Sequence, residues 1–173
     1  MSKKILVPRY SSFIPTKQQR IHAAEINNRY PIDRFANERD WFFFFHVDPA
    51  IRIIHAFGMN IGLVFFLWAI LEWSLLSFLL WGVGVFFFYY LGVLTHILYD
   101  GGSAKVEQRH LITTFWPVMA MNFRTTFGRY DKELRHFIQQ YPFTFQAHDL
   151  IEIERKDLLK FLLTTKELST FAR

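Results

Sequence analysis

The chain has no cysteine, which removes disulfides, thiolate metal ligands and a cysteine nucleophile together. Any transition-metal site must therefore use histidine and carboxylate. Lysine and arginine, 20 in all, are absent between residues 53 and 104, where the acids are Glu72 and Asp100 alone. The N-terminal Lys3-Lys4-Ile5-Leu6-Val7-Pro8-Arg9 holds only three apolar residues in a row. That is far short of a signal-peptide core, so membrane insertion falls to an internal segment. There is no internal repeat and no low-complexity linker.

What fills the uncharged window is hydrophobic. Half of the residues are hydrophobic and 21 are Phe, and the apolar ones concentrate between Ile53 and Leu98. One apolar run covers Phe57 to Leu71, Glu72-Trp73-Ser74 interrupts it, and a second covers Leu75 to Leu98. At about 1.5 Å per residue each run is long enough for a tilted span. Basic residues flank both ends and none stands at the Glu72 turn, so both termini are expected in the cytoplasm. The net charge of +5 is then explained by topology and anionic headgroups, with no call for nucleic acid.

The fold class expected is all-α, an integral membrane helical hairpin with flanking interfacial and cytoplasmic amphipathic helices, in a chain of single-domain length. Residues 1–36 read as a polar, basic arm, with a short helix at Gln18 to Asn28. Residues 37–126 read as the membrane-embedded part, and residues 127–173 as a cytoplasmic tail with amphipathic helices at Tyr130 to Tyr141 and Leu150 to Phe171. Within the embedded part, Trp41 and Phe42 to Phe45 suit an interfacial helix. Asp48-Pro49 is a helix start, giving spans at residues 49–72 and 75–99. Gly58, Gly62, Gly82, Gly84 and Gly92 are small enough to let the two helices approach. Gly101-Gly102-Ser103 ends the second span, and a stretch at residues 110–123 with Pro117 is too short to cross, which suits an interfacial or re-entrant segment.

Chemistry is sought among seven histidines. His22, His136 and His148 lie in polar segments and read as solvent-facing. His46, His55 and His96 lie at the membrane boundary, where an ionisable group is costly without a partner. A hairpin is antiparallel, so His55 at the start of one helix and His96 at the end of the other come to similar depth. His96 and Asp100 are four apart, on one helix face. Adding His55 gives two histidines and one carboxylate, the set that leaves open positions on non-haem Fe(II), and His46 is a further ligand candidate. The alternatives are that Asp100 merely orients His96 and the histidines tether helices, or that His55 and His96 hold a haem. Arg52, one turn before His55, is either a clamp for a substrate carboxylate or a snorkelling residue at the headgroups.

The string His46-x-Asp48-Pro49-x-x-Arg52-x-x-His55-x-x-Gly58 resembles the signature of a family of small membrane proteins that includes the fungal 2-hydroxy fatty acid dioxygenase and many bacterial members. Thr95-His96-Ile97-Leu98-Tyr99-Asp100 resembles its second signature, Gly-His followed four residues later by Glu. Thr113-Thr114-Phe115, Pro117 and Asn122-Phe123-Arg124 echo a third. The resemblance covers residues 37–126. Asp100 stands where the family has Glu, Asn122 where it has Asp, and His110 falls in an inserted stretch and takes no ligand role. The resemblance implies an Fe(2+) enzyme of an inner bacterial membrane or the endoplasmic reticulum, which uses dioxygen to shorten long-chain 2-hydroxy fatty acids by one carbon. His46, His55 and His96 would hold the iron, with Asp100 as ligand or support and Arg52 receiving the carboxylate. The competing class is a non-enzymatic hairpin protein that scaffolds partners or shapes the bilayer.

Overall fold

The computed structural model describes residues 4–100 and 111–164. Helix α3, Pro49–Glu72, starts where the sequence says it should: the Asp48 carboxylate accepts the Ala50 N–H at 2.8 Å, and Pro49 occupies a position with no amide to satisfy. It ends at Trp73, whose φ of 45° turns the chain back. Helix α4, Leu76–Asp100, returns alongside it. Both helices are long and apolar enough to cross a membrane. Their outer faces carry exposed Val64, Leu67, Leu71, Phe78 and Leu79, and the tip exposes Trp73 and Leu75.

Three glycines set the distance between these helices. A Cβ on Gly58 would lie 2.5 Å from the Phe87 carbonyl oxygen, one on Gly62 would lie 2.8 Å from the Gly84 carbonyl oxygen, and one on Gly84 would strike the Phe66 ring at 2.6 Å. Gly82 faces open space and is not a packing residue. Opposite Gly58, α4 loosens into a π-wound stretch over Phe86–Tyr90, where the Leu91 N–H reaches back five residues to the Phe86 carbonyl.

The hairpin stands on a base made from both ends of the chain, and here the structure departs from the all-α reading. Strand β1, Lys4–Pro8, pairs antiparallel with β2, Leu150–Glu154, in the register Lys4↔Glu154 to Pro8↔Leu150. The segment read as one helix from Leu150 is thus a strand followed by a short helix α8, Leu158–Leu163, and residues 165–173 lie outside the described residues. Ile151-Glu152-Ile153-Glu154 alternates apolar and charged residues at a period of two, which a strand can satisfy and a helix face cannot. Residues 4–36, read as part of a polar, basic arm, are built into this base. Ile5, Leu6 and Val7 are buried, α1 runs over Lys17–Arg29, and Phe13 and Ser12 bond to the Leu162 carbonyl of α8.

Helix α2, Glu38–Phe45, is capped by Asn37 and carries the phenylalanine run inward rather than to a lipid surface. Phe43 and Phe44 join Leu6, Tyr30, Phe35, Leu134 and Phe137 in one core, with ring centroids 4.6 Å apart for Phe43–Phe137 and 5.1 Å for Phe44–Tyr30. Phe43 and Phe44 enter this core and Phe45 packs partly buried against it, while Phe42 stacks on the His46 ring, so all four rings are engaged in contacts within the protein.

Beyond Asp100 the expected glycine stop and His110 lie outside the described residues. Helix α5, Leu111–Thr126, contains Pro117 and packs along the hairpin: Phe115 meets Phe88 of α4, Asn60 Nδ2 donates to Thr126 Oγ1 at 2.9 Å, and Arg52 donates to Thr125 Oγ1 at 3.1 Å. Helices α6, Tyr130–Gln140, and α7, Phe143–Ala147, then return the chain to β2.

Candidate metal centre

Three separate elements deliver three imidazoles to one point. His46 ends α2, held where its N–H reaches the Phe43 carbonyl. His55 lies on α3 and His96 on α4. At about 1.5 Å per residue, His55 is about 9 Å above the start of α3, and His96 is about 6 Å above the end of α4. All three are buried, at 1%, 5% and 3% exposure, and their candidate ligand atoms lie within 4.8 Å of one another. Ring centroids are 4.8 Å apart for His46–His96, 5.2 Å for His55–His96 and 5.3 Å for His46–His55.

The hydrogen bonds behind these rings fix which nitrogens face the centre. His46 Nδ1 is 2.8 Å from the Phe42 carbonyl oxygen and His96 Nδ1 is 2.8 Å from Asp100 Oδ2. Both acceptors call for a proton on Nδ1, which leaves each Nε2 with its lone pair turned inward. Those two Nε2 atoms are 3.0 Å apart. Two lone pairs at that distance need a proton or a cation in common. Two nitrogens bound at right angles to one ion, each at about 2.1 Å, would be separated by about 3 Å, so the donor set and its spacing fit a transition-metal ion. The same convergence leaves no slot for a macrocycle between His55 and His96, because the His46 ring shares that space. Phe42 stacks on His46 with centroids 3.9 Å apart, and Gly92 lies beside His55, where a Cβ would touch the ring at 3.5 Å.

No protein-family model matches this chain, and no curated protein or solved structure does.

The remaining candidates fall around the three histidines. Asp100 is behind His96, bonded to its outer nitrogen, and is not among the converging ligand atoms. Arg52 is fully buried. Its guanidinium donates to Glu133 Oε2, Thr125 Oγ1 and, at 3.5 Å, the Met121 carbonyl, and it lies over the rings of Phe43 and Tyr130. The carboxylate it holds is therefore one of the chain's own. Glu133 also takes Arg124 Nη1 at 2.6 Å, so one carboxylate on α6 ties α3 to α5. No signal in the sequence pointed to Glu133, which is one of several charges on an amphipathic helix.

Of the three histidines expected in solvent, His136 is exposed. His148 is buried at 7% exposure, and burial lowers its pKa to about 3, with the nearby His22 adding to the effect and a backbone hydrogen bond with Phe44 opposing it. His22 is half-buried. Asp48 at the α3 cap is raised above the ordinary carboxylate value by burial, against hydrogen bonds from Ser11, Ala50 and Gln19.

Proposed function

We propose that this protein is an integral membrane, non-haem iron(II) dioxygenase that shortens long-chain 2-hydroxy fatty acids by one carbon. The observation that carries the reading is the convergence of His46, His55 and His96, with Asp100 behind His96, at the foot of an apolar hairpin. The resemblance around His46 and His55 supplies the substrate class. Bound iron(II) would supply dioxygen activation at positions the protein leaves open.

The chain's own residues perform the holding and the shielding. Phe42 and Asp100 orient His46 and His96 through their outer nitrogens, the arrangement that commonly stiffens metal-binding imidazoles. Burial of the three rings keeps bulk water from the centre. A 2-hydroxy acid brings a carboxylate and a hydroxyl, oxygen donors suited to iron, and an alkyl chain that remains in lipid beside α3, α4 and α5. Arg52 is a positioning residue in this reading, since its partner Glu133 keeps α5 and α6 against α3. The basic base lies on the cytoplasmic face and the Trp73 tip on the far side.

The test is to purify the protein in detergent, measure bound iron, and follow Fe(II)- and dioxygen-dependent consumption of 2-hydroxypalmitate. Wild type is expected to hold one iron at the centre and turn over, and His55→Ala and His96→Ala to lose both. Wild-type protein that binds no iron and consumes no 2-hydroxypalmitate would sink the reading.

A further inference from the structure

A pocket of about 190 Å³ lies at the foot of the hairpin, where Pro49 and Ile53 of α3 meet Ile5 of β1, Tyr130 of α6 and Leu158 of α8. A cavity of about 150 Å³ already takes a six-carbon ring, so there is room here for the glycerol and first methylenes of a lipid. What the pocket presents is mostly carbon. The Tyr130 hydroxyl donates to the Val47 carbonyl at 2.9 Å. The Thr125 hydroxyl, also in the lining, donates to the Met121 carbonyl at 2.9 Å and accepts Arg52 Nε at 3.1 Å. Both oxygens are therefore engaged within the protein.

The charged residue of the lining is Arg155. Its Nη2 donates to the Gly128 carbonyl at 2.6 Å, across a turn where Gly128 takes a φ of 67°, and this bond holds the guanidinium beside the pocket. Among the described residues Arg155 makes no ion pair, and its other N–H groups meet no acceptor. Arg129 and Lys156, next to Gly128 and Arg155 in the chain, are exposed, and with Arg155 they outnumber Glu154 and Asp157 on the same stretches. The balance is positive. A planar guanidinium with free N–H groups matches the oxygens of a phosphate.

Depth favours a lipid over a soluble anion. Phe57 is exposed on α3, and Ile53 lies one turn below it on the same face, about 6 Å nearer the foot. The headgroup layer of a bilayer is about 5–8 Å thick on each side of the hydrocarbon. With Phe57 at the edge of the hydrocarbon, the pocket is therefore at headgroup level. The adjoining surface has the same mixed character: Phe127 is exposed beside Gly128, and Leu159 and Leu163 are exposed on α8 around Lys160. Outward apolar and basic side chains together suit a membrane interface.

We propose that this pocket binds one anionic phospholipid from the leaflet at the foot of the hairpin. Its phosphate pairs with Arg155, its glycerol and upper methylenes occupy the pocket, and its acyl chains rise past Ile53 and Phe57 into the bilayer. The site shares no residue with the three-histidine centre. It rests on the hairpin entering a membrane and not on the iron chemistry.

The test titrates phosphatidylglycerol into the full-length protein in detergent and counts bound lipid by native mass spectrometry, with phosphatidylcholine as the zwitterionic comparison. Wild type is expected to hold one phosphatidylglycerol at least tenfold more tightly than phosphatidylcholine. Arg155→Gln should lose that preference. Leu158→Trp, which fills the pocket and keeps the guanidinium, should weaken binding at least tenfold. Arg20→Gln removes a charge from α1, outside the pocket lining, and should leave binding unchanged. The proposal is overturned if Arg155→Gln keeps the preference, or if Leu158→Trp binds as wild type does. It is equally overturned if Arg20→Gln loses as much as Arg155→Gln, since bulk charge would then account for the binding. Palmitate that displaces phosphatidylglycerol at equal concentration would overturn it in favour of a free fatty acid. Flotation with phosphatidylcholine vesicles checks membrane entry separately: floating protein with no lipid preference removes this site alone, whereas protein that stays unbound removes the membrane reading as well.

Discussion

Gly62→Ala and Gly82→Ala are the same chemical change on the two helices of one hairpin, and the structure assigns them opposite signs. The Cβ added at Gly62 would lie 2.7 Å from Phe88 Cβ, 2.8 Å from the Gly84 carbonyl oxygen and 2.9 Å from the Phe88 nitrogen. Comfortable separation between such atoms is about 3.5–4.0 Å. Two of the three obstacles are backbone, so rotamer changes cannot relieve them and α3 and α4 must part by several tenths of an ångström. Overpacking of this kind costs about 1–3 kcal/mol. At roughly 2–4 °C per kcal/mol for a chain of this size, the melting temperature should fall by about 2–12 °C. The Cβ added at Gly82 meets nothing within 4 Å, so the helix keeps the gain of roughly 0.5–1 kcal/mol that alanine has over glycine. Thermal unfolding in a single detergent, followed by circular dichroism, compares the pair. Because His55 and His96 sit on opposite helices, Gly62→Ala should also weaken metal binding. A Gly62→Ala protein as stable as wild type, or a Gly82→Ala protein destabilised as much as Gly62→Ala, would refute the close-packed hairpin.

Three further outcomes are expected. Glu133→Gln leaves the buried Arg52 without its carboxylate and should cost about 2–4 kcal/mol in denaturant unfolding, somewhat under the usual penalty for breaking a buried pair because Thr125 and the Phe43 and Tyr130 rings remain; a loss below 0.5 kcal/mol, on the order of an exposed pair, would discount the bridge. His148 binds its proton less readily folded than unfolded, so unfolded chains take up the extra proton between pH 6.5 and about 3. Stability of the metal-free protein should therefore be full above pH 6.5 and decline as pH falls toward about 3, and His148→Leu should flatten that limb; an unaltered acid limb in the variant would contradict the assignment. Asp100→Asn removes the charge behind His96 and should weaken metal affinity at the hairpin centre by roughly 10–100-fold without abolishing it, whereas unchanged affinity in a metal titration would take Asp100 out of the centre.

The hairpin was legible because its signal is local and strong: the absence of lysine and arginine over residues 53–104, the Asp48-Pro49 start and the Glu72 turn each act through composition or neighbouring residues. The meeting of His55 and His96 followed from antiparallel geometry alone. The base was harder to read because it is built by contacts between distant parts of the chain. β1 is pinned to residues 150–154 at the other end, and neither strand has meaning without its partner. Local alternation in Ile151 to Glu154 was present and could have marked the strand, but Glu152 and Lys156, four apart as an ion pair on a helix face would be, lay over it. The phenylalanine run resembled a membrane-interface segment because the same composition serves an aromatic core, and only its neighbours Phe137 and Tyr30 decide between them. His148 looked solvated because its flanks are polar, while the Phe44 ring that covers it is over a hundred residues away in sequence.

The π-wound stretch at Phe86–Tyr90 places one more residue in its turn than an α-helix would. Everything downstream on α4 is rotated by that single residue, about 100° around the helix axis. The direction in which His96 points is thus a counting property of the chain, set ten residues earlier. A variant lacking one residue from that stretch could restore ideal helical winding and gain local regularity, yet it would swing His96 and Asp100 off the axis shared with His46 and His55. The apparent defect in the second helix is the phase adjustment that brings the histidines to one point.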